Sequence, residues 1–299
     1  MKIIYFLAFD ESKAHAEYKD DVLLSWIIPS IRQCMFLNQS CEIHIITNIE
    51  NIKSYIKSNK IFYHSFESYY SEDIGWFNKH YIHLSPNHYQ FEKNAIMRLF
   101  YLRNFCIINN IDSFLHLEPD VLVYSDVIED KKFFEPNFDM TLVHNLGCGV
   151  NFLNNSINAL HEICENICNS YSIPQKEPRA FDLTFEQKNK LASISDMNFW
   201  QHYGTTHERV FKEMDQNLNG IFYQTYIHTP NNSGIYSIND WENVIDPELD
   251  VRLKKIDIND NKCFSIYKGE KVQIKYLHFH GNRKRIIKNY LLNERWRTS

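Results

Sequence analysis

Glu118 and Asp120 stand one residue apart in the stretch FLHLEPDVLVYSDV (114–127), with Pro119 between them. A one-residue separation on extended backbone places both carboxylates on the same side. Two acids held that close repel each other unless a positive charge neutralises them. A divalent cation does this well, and Mn²⁺ or Mg²⁺ favours oxygen donors and bridges to substrate phosphates. The plain alternative is a solvated turn in which Pro119 simply ends a strand.

Other residues offer complementary chemistry. His278 and His280 alternate in HFHGNRK (278–284), so both point to one side of an extended segment. Either neutral imidazole can complete a metal site begun by the acids, and spacing alone does not choose between them. Gly281 then opens a basic stretch, Arg283-Lys284-Arg285. Cations at a helix N-terminus, Lys284 among them, suit a diphosphate. Asp196 follows Ser195 at the opening of SDMNFWQHY (195–203). It is a candidate base for deprotonating a hydroxyl, and equally a helix-capping acid. His161, Cys164 and Cys168 share a helical face without a C-x-x-C pair, and the thiols read as buried core groups rather than zinc ligands.

These residues sit in motifs that resemble the GT-A glycosyltransferases. FEKNAIMRLFYLRNFCIINNIDSFLHLEPDVLVYSDV (91–127) is similar to that group's arginine-bearing helix, apolar strand, acid-x-acid motif and V-L-V strand. GCGVNFLN (147–154), MDQNLN (214–219) and HFHGNRK (278–284) are similar, in the same order, to segments of the family 8 glycosyltransferases. The resemblance implies a metal held by Glu118, Asp120 and a histidine, and a phosphate met by Lys284. It places Arg98 against the nucleotide sugar and Phe9 and Asp10, at the end of the first strand, near the nucleotide base. A retaining enzyme of family 8 type would use Asp215 and Gln216 beside the sugar, whereas an inverting enzyme would use Asp196 as base. Three departures stand out. Glu118 replaces the first Asp, no Pro-Trp follows Lys284, and SDMNFW resembles other GT-A families.

The activity implied is transfer of a sugar from a nucleotide-sugar donor to a hydroxyl of a glycan or glycolipid acceptor, in surface polysaccharide or lipopolysaccharide biosynthesis. A sugar-nucleotide nucleotidyltransferase would need a glycine-rich phosphate loop after the first strand, and AFDESKAHAE has no glycine. A non-catalytic protein binding glycans or nucleotide sugars on the same fold is the other alternative.

The elements that must position these residues alternate. KIIYFLAF (2–9), CEIHIITN (41–48) and IFYHSF (61–66) read as strands. DDVLLSWIIPSIRQCMFLN (20–38) reads as a helix that Pro29 kinks or breaks, and residues 91–110 as a long amphipathic helix. SFLHLE and VLVYSD flank the acids as strands. KCFSIYKGEKVQIKYLHFH (262–280) reads as a hairpin turning at Lys268-Gly269, and residues 282–296 as a terminal helix. The pattern predicts an α/β, Rossmann-like single GT-A domain over 1–299, with a mixed, mostly parallel central sheet. Residues 1–125 would form the nucleotide-binding half and 126–299 the acceptor-side half with its basic C-terminal helix. Ligands of such sheets bind at the carboxyl ends of the strands, where the acids fall.

Composition bounds the rest. With 299 residues, 44% of them hydrophobic, the chain can build a sizeable core. A net charge of −5 points away from nucleic acid as a partner. Seven scattered cysteines, an odd number, read as reduced thiols, and the N-terminus lacks a signal-peptide pattern, so the expected location is cytoplasmic. The basic terminal stretch, interleaved with Ile286, Ile287, Tyr290, Leu291 and Trp296, suits peripheral contact with an anionic leaflet and a lipid-linked acceptor.

Overall fold

The structure is a computed structural model that describes residues 1–8, 23–50, 52–85, 87–143, 149–172, 194–228 and 238–293. Four parallel strands start the main sheet: β1 (Lys2–Leu7), β2 (Glu42–Thr47), β3 (Ile61–Ser65) and β4 (Phe114–Leu117), in the spatial order β3-β2-β1-β4. β5 (Val121–Val123) follows the acids but leaves this sheet. β6 (Met140–Thr141), β7 (Val150–Leu153) and β8 (Val210–Phe211) complete it, with β7 antiparallel to β4. The sheet is therefore mixed and mostly parallel on the N-terminal side, as the alternation of elements predicts.

Both faces are covered, which is why its strands read as nearly continuous apolar runs. Along β1, Ile4 and Phe6 enter one core while Ile3, Tyr5 and Leu7 enter the other. The first core lies under α2 (Glu72–His80), α3 (Tyr89–Asn109), α5 (Ser156–Ser172) and α6 (Asp196–Thr206). The second lies under α1 (Ile28–Leu37) and α4 (Val127–Phe134). Pro29 sits in the first turn of α1, where its missing N–H costs nothing, and a π-helical turn (Leu23–Ile27) precedes it. α3 is buried on most sides because α2, α5 and α6 pack around it, so its sequence is less amphipathic than that of a surface helix.

A second sheet, which the sequence pattern does not reveal, carries half of the site. It contains β9 (Ile221–Tyr226), β12 (Asp257–Asn259), β13 (Lys262–Tyr267), β14 (Glu270–His278) and β5. The β13–β14 hairpin turns at Lys268-Gly269, both with positive φ (50° and 84°), as expected for a two-residue loop. β14 pairs antiparallel with β5 and parallel with β9. The remaining strands, β10 (Asn243–Asp246) and β11 (Val251–Lys254), form a separate ribbon. Because β5 and β14 share one sheet, a boundary at residue 125 divides the chain by order but not in space. Buried polar groups on α1 hold β5 in place: Ser30 Oγ donates to the Val121 carbonyl at 2.9 Å and Gln33 Nε2 to that of Val123 at 2.8 Å.

The stretch after β14 is a 3₁₀ helix, Gly281–Tyr290, rather than the expected terminal α-helix. Ile286 and Ile287 anchor it in a third core, while Arg285 and Asn289 stay in solvent. Trp296, Arg295 and Arg297 of the expected helix lie outside the described residues.

Candidate metal and donor site

The acids lie at the carboxyl end of β4, in the turn that leads into β5. Three backbone hydrogen bonds fix that turn. Glu118 N–H donates to the Gly149 carbonyl at 2.9 Å, Val121 N–H to that of Glu118 at 3.2 Å, and Phe279 N–H to that of Asp120 at 2.9 Å. The last bond ties the acids to the end of β14, where His278 pairs with Val121 in register. The pairing brings residues about 160 positions apart in sequence to one point.

His278 Nε2 lies 3.3 Å from Asp120 Oδ1 and 3.5 Å from Glu118 Oε2. One donor atom from each of these residues falls within 4.8 Å of the others. The imidazole is 1% exposed, and its Nε2 has no hydrogen-bond partner although it faces two carboxylates. An orphaned, buried ring nitrogen beside two acidic oxygens is a donor set that fits a divalent ion. The far side of the ring is also held: Tyr226 stacks on it at 4.7 Å, and Gln224 Nε2 lies 3.4 Å from Nδ1.

Gln224 needs room that only glycine leaves. Gly149 has φ +99°, and a Cβ there would lie 2.5 Å from Gln224 Nε2. Neither Gln224 nor Tyr226 was singled out from the sequence. The signal was present, since Gln224 is an amide in the middle of the buried strand IFYQTY.

Cations surround the acids. Lys284 Nζ lies 2.8 Å from Asp120 Oδ2 and 4.6 Å from the centre of the Trp26 ring. Arg98, on α3, donates from Nη1 to Glu118 Oε1 at 2.8 Å and from Nη2 to Asp196 Oδ2. It thus joins the metal acids to the start of α6. There Ser195, not Asp196, is the N-cap, and Asn198 Oδ1 accepts from the Ser195 N–H at 2.8 Å. Asp196 is left free to meet Arg98.

The charges follow from these contacts. Burial alone would raise the Asp120 carboxyl, but Lys284 and His278 outweigh it and hold it below the ordinary range. Burial would lower His278, but Asp120 and Glu118 raise it. Asp196 is raised by burial, with Arg98 opposing, and Glu118 and Glu92 add to the rise. Burial lowers Arg98, which its two carboxylates more than offset, so the guanidinium keeps its charge.

Arg98, Glu118, Asp120, Asp196, His278 and Lys284 are therefore one connected cluster, with Gly281 (φ +64°) at the bend between His278 and Lys284. His280 lies two residues farther along, is exposed, and makes no contact with the acids within 4 Å. Asp215 and Gln216 occupy the half-buried turn after β8, next to Met214, whose carbonyl accepts from the Gln224 N–H at 2.7 Å. Phe9 and Asp10 lie outside the described residues, as do residues 147–148 of the GCGVNFLN motif. His161 pairs with Glu165 at 3.4 Å, and burial raises the Cys164 and Cys168 thiols, as inert core groups require.

No protein-family model and no curated protein sequence matches this chain. Solved structures do. The galactosyltransferase LgtC, in complex with donor and acceptor sugar analogs, matches with a TM-score of 0.51 at 10% identity over 100% of this chain and 99% of that one. The chain has the GT-A fold. An active-site mutant of LgtC matches with a TM-score of 0.52 at 12% identity, covering 99% of both chains. Mouse xyloside xylosyltransferase 1, in its apo form, is similar at a TM-score of 0.48 and 11% identity, over 77% of this chain and 89% of that one. At these identities the likeness is one of fold, and the chemistry must be argued from the site.

Proposed function

We propose that this chain is a metal-dependent glycosyltransferase. It moves a sugar from a nucleotide-sugar donor to a hydroxyl of a glycan or glycolipid acceptor, in the synthesis of a surface polysaccharide or lipopolysaccharide. The observation that carries this reading is the meeting of Glu118, Asp120 and His278 within 4.8 Å, at the strand ends of a GT-A fold.

Glu118, Asp120 and His278 would hold Mn²⁺ or Mg²⁺, which when bound supplies Lewis acidity toward a departing diphosphate. Lys284 stands beside Asp120 and supplies a positive charge to the phosphates. Arg98 holds Glu118 in place and reaches the donor side of the cluster. Two carboxylates remain for the sugar. Asp196 is buried and joined to Arg98, and would serve as the base of an inverting reaction. Asp215 with Gln216 sits on the Gln224 side and would serve a retaining one.

The basic 3₁₀ helix suits peripheral contact with the inner face of a membrane, and the working location is cytoplasmic. No helix among the described residues is long and apolar enough to cross a membrane.

The test is a thermal-shift screen of UDP, GDP, CDP and ADP with and without Mn²⁺, followed by incubation with the matching nucleotide sugars. Metal-dependent stabilisation by one nucleotide and slow donor hydrolysis are expected, and both are lost in Asp120→Asn. Absence of nucleotide binding at any metal concentration refutes the enzyme and leaves a glycan-binding protein on the same fold. The anomeric configuration of the product, with Asp196→Asn and Asp215→Asn compared, separates the two catalytic assignments.

A further inference from the structure

Beyond the metal ligand, the same face of the second sheet carries a second set of basic side chains. β9 and β14 run parallel with His278 opposite Tyr226. Two residues on, about 7 Å along the strands, come His280 and His228. Their rings are 6.4 Å apart and nearly parallel, at 22°. Lys254 closes the inner side. Its N–H donates to the Ile227 carbonyl at 2.8 Å, and its ammonium donates to the Tyr226 carbonyl and lies 4.6 Å from the Trp241 ring centre. Arg283 approaches from the 3₁₀ helix, where its side chain reaches Gly281.

Among the described residues, no carboxylate lies within 4 Å of His228, His280, Lys254 or Arg283, while Asp120 and Glu118 already hold Lys284 and Arg98. His228 Nδ1 and Arg283 Nε are buried atoms with no hydrogen-bond partner. His228 is 6% exposed and Lys254 2% exposed, so they form a floor, with exposed His280 and half-buried Arg283 at the mouth. Burial pulls Lys254 down to about 7. Burial, then Arg283, Lys254 and the neighbouring imidazoles, pulls His228 down to about 3. Arg283 with the basic nitrogens of Lys254, His228 and His280, two of these residues carrying buried nitrogens without a partner, offers several donors to an anion with several oxygens.

We propose that His228, Lys254, Arg283 and His280 bind a phosphate carried by the acceptor, at a site separate from the one for the donor diphosphate. This rests on the glycosyltransferase reading and narrows its acceptor to phosphorylated or diphosphate-linked glycans. The two separate groups of basic side chains argue for two anions. Lys284 turns to Asp120 and Trp26 on the metal side, while its neighbour Arg283 turns to Gly281 and His228 and pairs with neither metal acid.

The experiment is calorimetric titration of inorganic phosphate into protein already saturated with Mg²⁺ and its best-binding nucleoside diphosphate. Phosphate binds with the nucleotide in place. Arg283→Gln and Lys254→Met, the latter keeping an apolar stem over Trp241, each weaken it about tenfold or more, and nucleotide affinity changes less than about twofold. Competition between phosphate and the nucleotide, or an equal loss of nucleotide affinity in the variants, assigns the cluster to the donor and overturns the proposal. So does failure of the unaltered protein to bind phosphate. If no nucleotide binds at all, the enzyme reading falls and takes the acceptor assignment with it. Phosphate titrated into the metal-free protein then decides whether the anion site itself stands.

Discussion

Lys284 occupies one oxygen of a carboxylate that a metal ion would need, and this has a measurable consequence. Its ammonium lies 2.8 Å from Asp120 Oδ2, and Asp120 is buried while the lysine side chain is 25% exposed. An ion bound among Asp120 Oδ1, Glu118 Oε2 and His278 Nε2 would share the Asp120 carboxylate with the ammonium on its other oxygen, and the two cations would repel each other. A charge-assisted hydrogen bond contributes about 1.5–3 kcal/mol, and the exposure of Lys284 places this one at the lower end, about 1.5 kcal/mol. Lys284→Met removes the repelling charge, so Mn²⁺ binds about tenfold more tightly in the absence of nucleotide. With a nucleoside diphosphate present the sign reverses. The ammonium would meet phosphate oxygens, Met cannot, and the Mn²⁺-nucleotide complex binds about tenfold more weakly. The coupling between metal and nucleotide therefore shrinks by about a hundredfold, and it shrinks equally whichever ligand is added first. Free Mn²⁺ measured by electron paramagnetic resonance, with and without nucleotide, reads both affinities. Arg285→Met is the control: Arg285 is an exposed cation one residue on, and its loss changes Mn²⁺ affinity less than about twofold. The reasoning is refuted if Lys284→Met binds Mn²⁺ no more tightly than the unaltered protein when nucleotide is absent, or if Arg285→Met has the same effect.

Two further outcomes follow from buried charge. Arg98→Met leaves Asp196 buried without its cation and Glu118 without its anchor, which costs about 3–5 kcal/mol near pH 7. Burial already raises the Asp196 carboxyl and loss of Arg98 raises it further, so the deficit narrows as pH falls and the carboxyl takes a proton. Urea unfolding at pH 8 and pH 5 reads the narrowing, and a deficit independent of pH would point to lost packing instead. His44 of β2 has its Nδ1 3.0 Å from Nε2 of His64 on β3, and burial, then Lys2 and His64, pull it down to about 4. A depressed imidazole refuses a proton that the unfolded chain accepts near 6.5, so its stability contribution is whole above that pH and is lost below it. By pH 5 the loss is about 2 kcal/mol, and His44→Phe should flatten the unfolding free energy between pH 7 and pH 5 by that amount.

What could be read in the sequence, and what could not, divides along one physical line: local pattern against non-local pairing. The strand FLHL, the turn at Glu118-Pro119-Asp120 and the long helix bearing Arg98 are each set by near neighbours, and each stands where the residue pattern places it. The second sheet is different. β5 is three residues long, and nothing within it signals that its partner is β14 rather than a strand of the main sheet. Strand alternation put His278 and His280 on one side and stopped there. The choice between them comes from register: the β5–β14 ladder ends with His278 opposite Val121, one residue beyond Asp120, so only His278 lies level with the acids. His280 passes the end of that ladder and meets His228, two residues past the end of β9, instead. A shift of this ladder by two residues would bring His280 to the acids and carry His278 away from them, along with Tyr226 and Gln224 that hold its ring. The identity of the metal-side imidazole is thus a property of the pairing between two distant strands. It is fixed by the Phe279 N–H to Asp120 carbonyl bond and by the α1 side chains Ser30 and Gln33 that pin β5, none of which lies within a turn of the histidine in sequence except Phe279 itself.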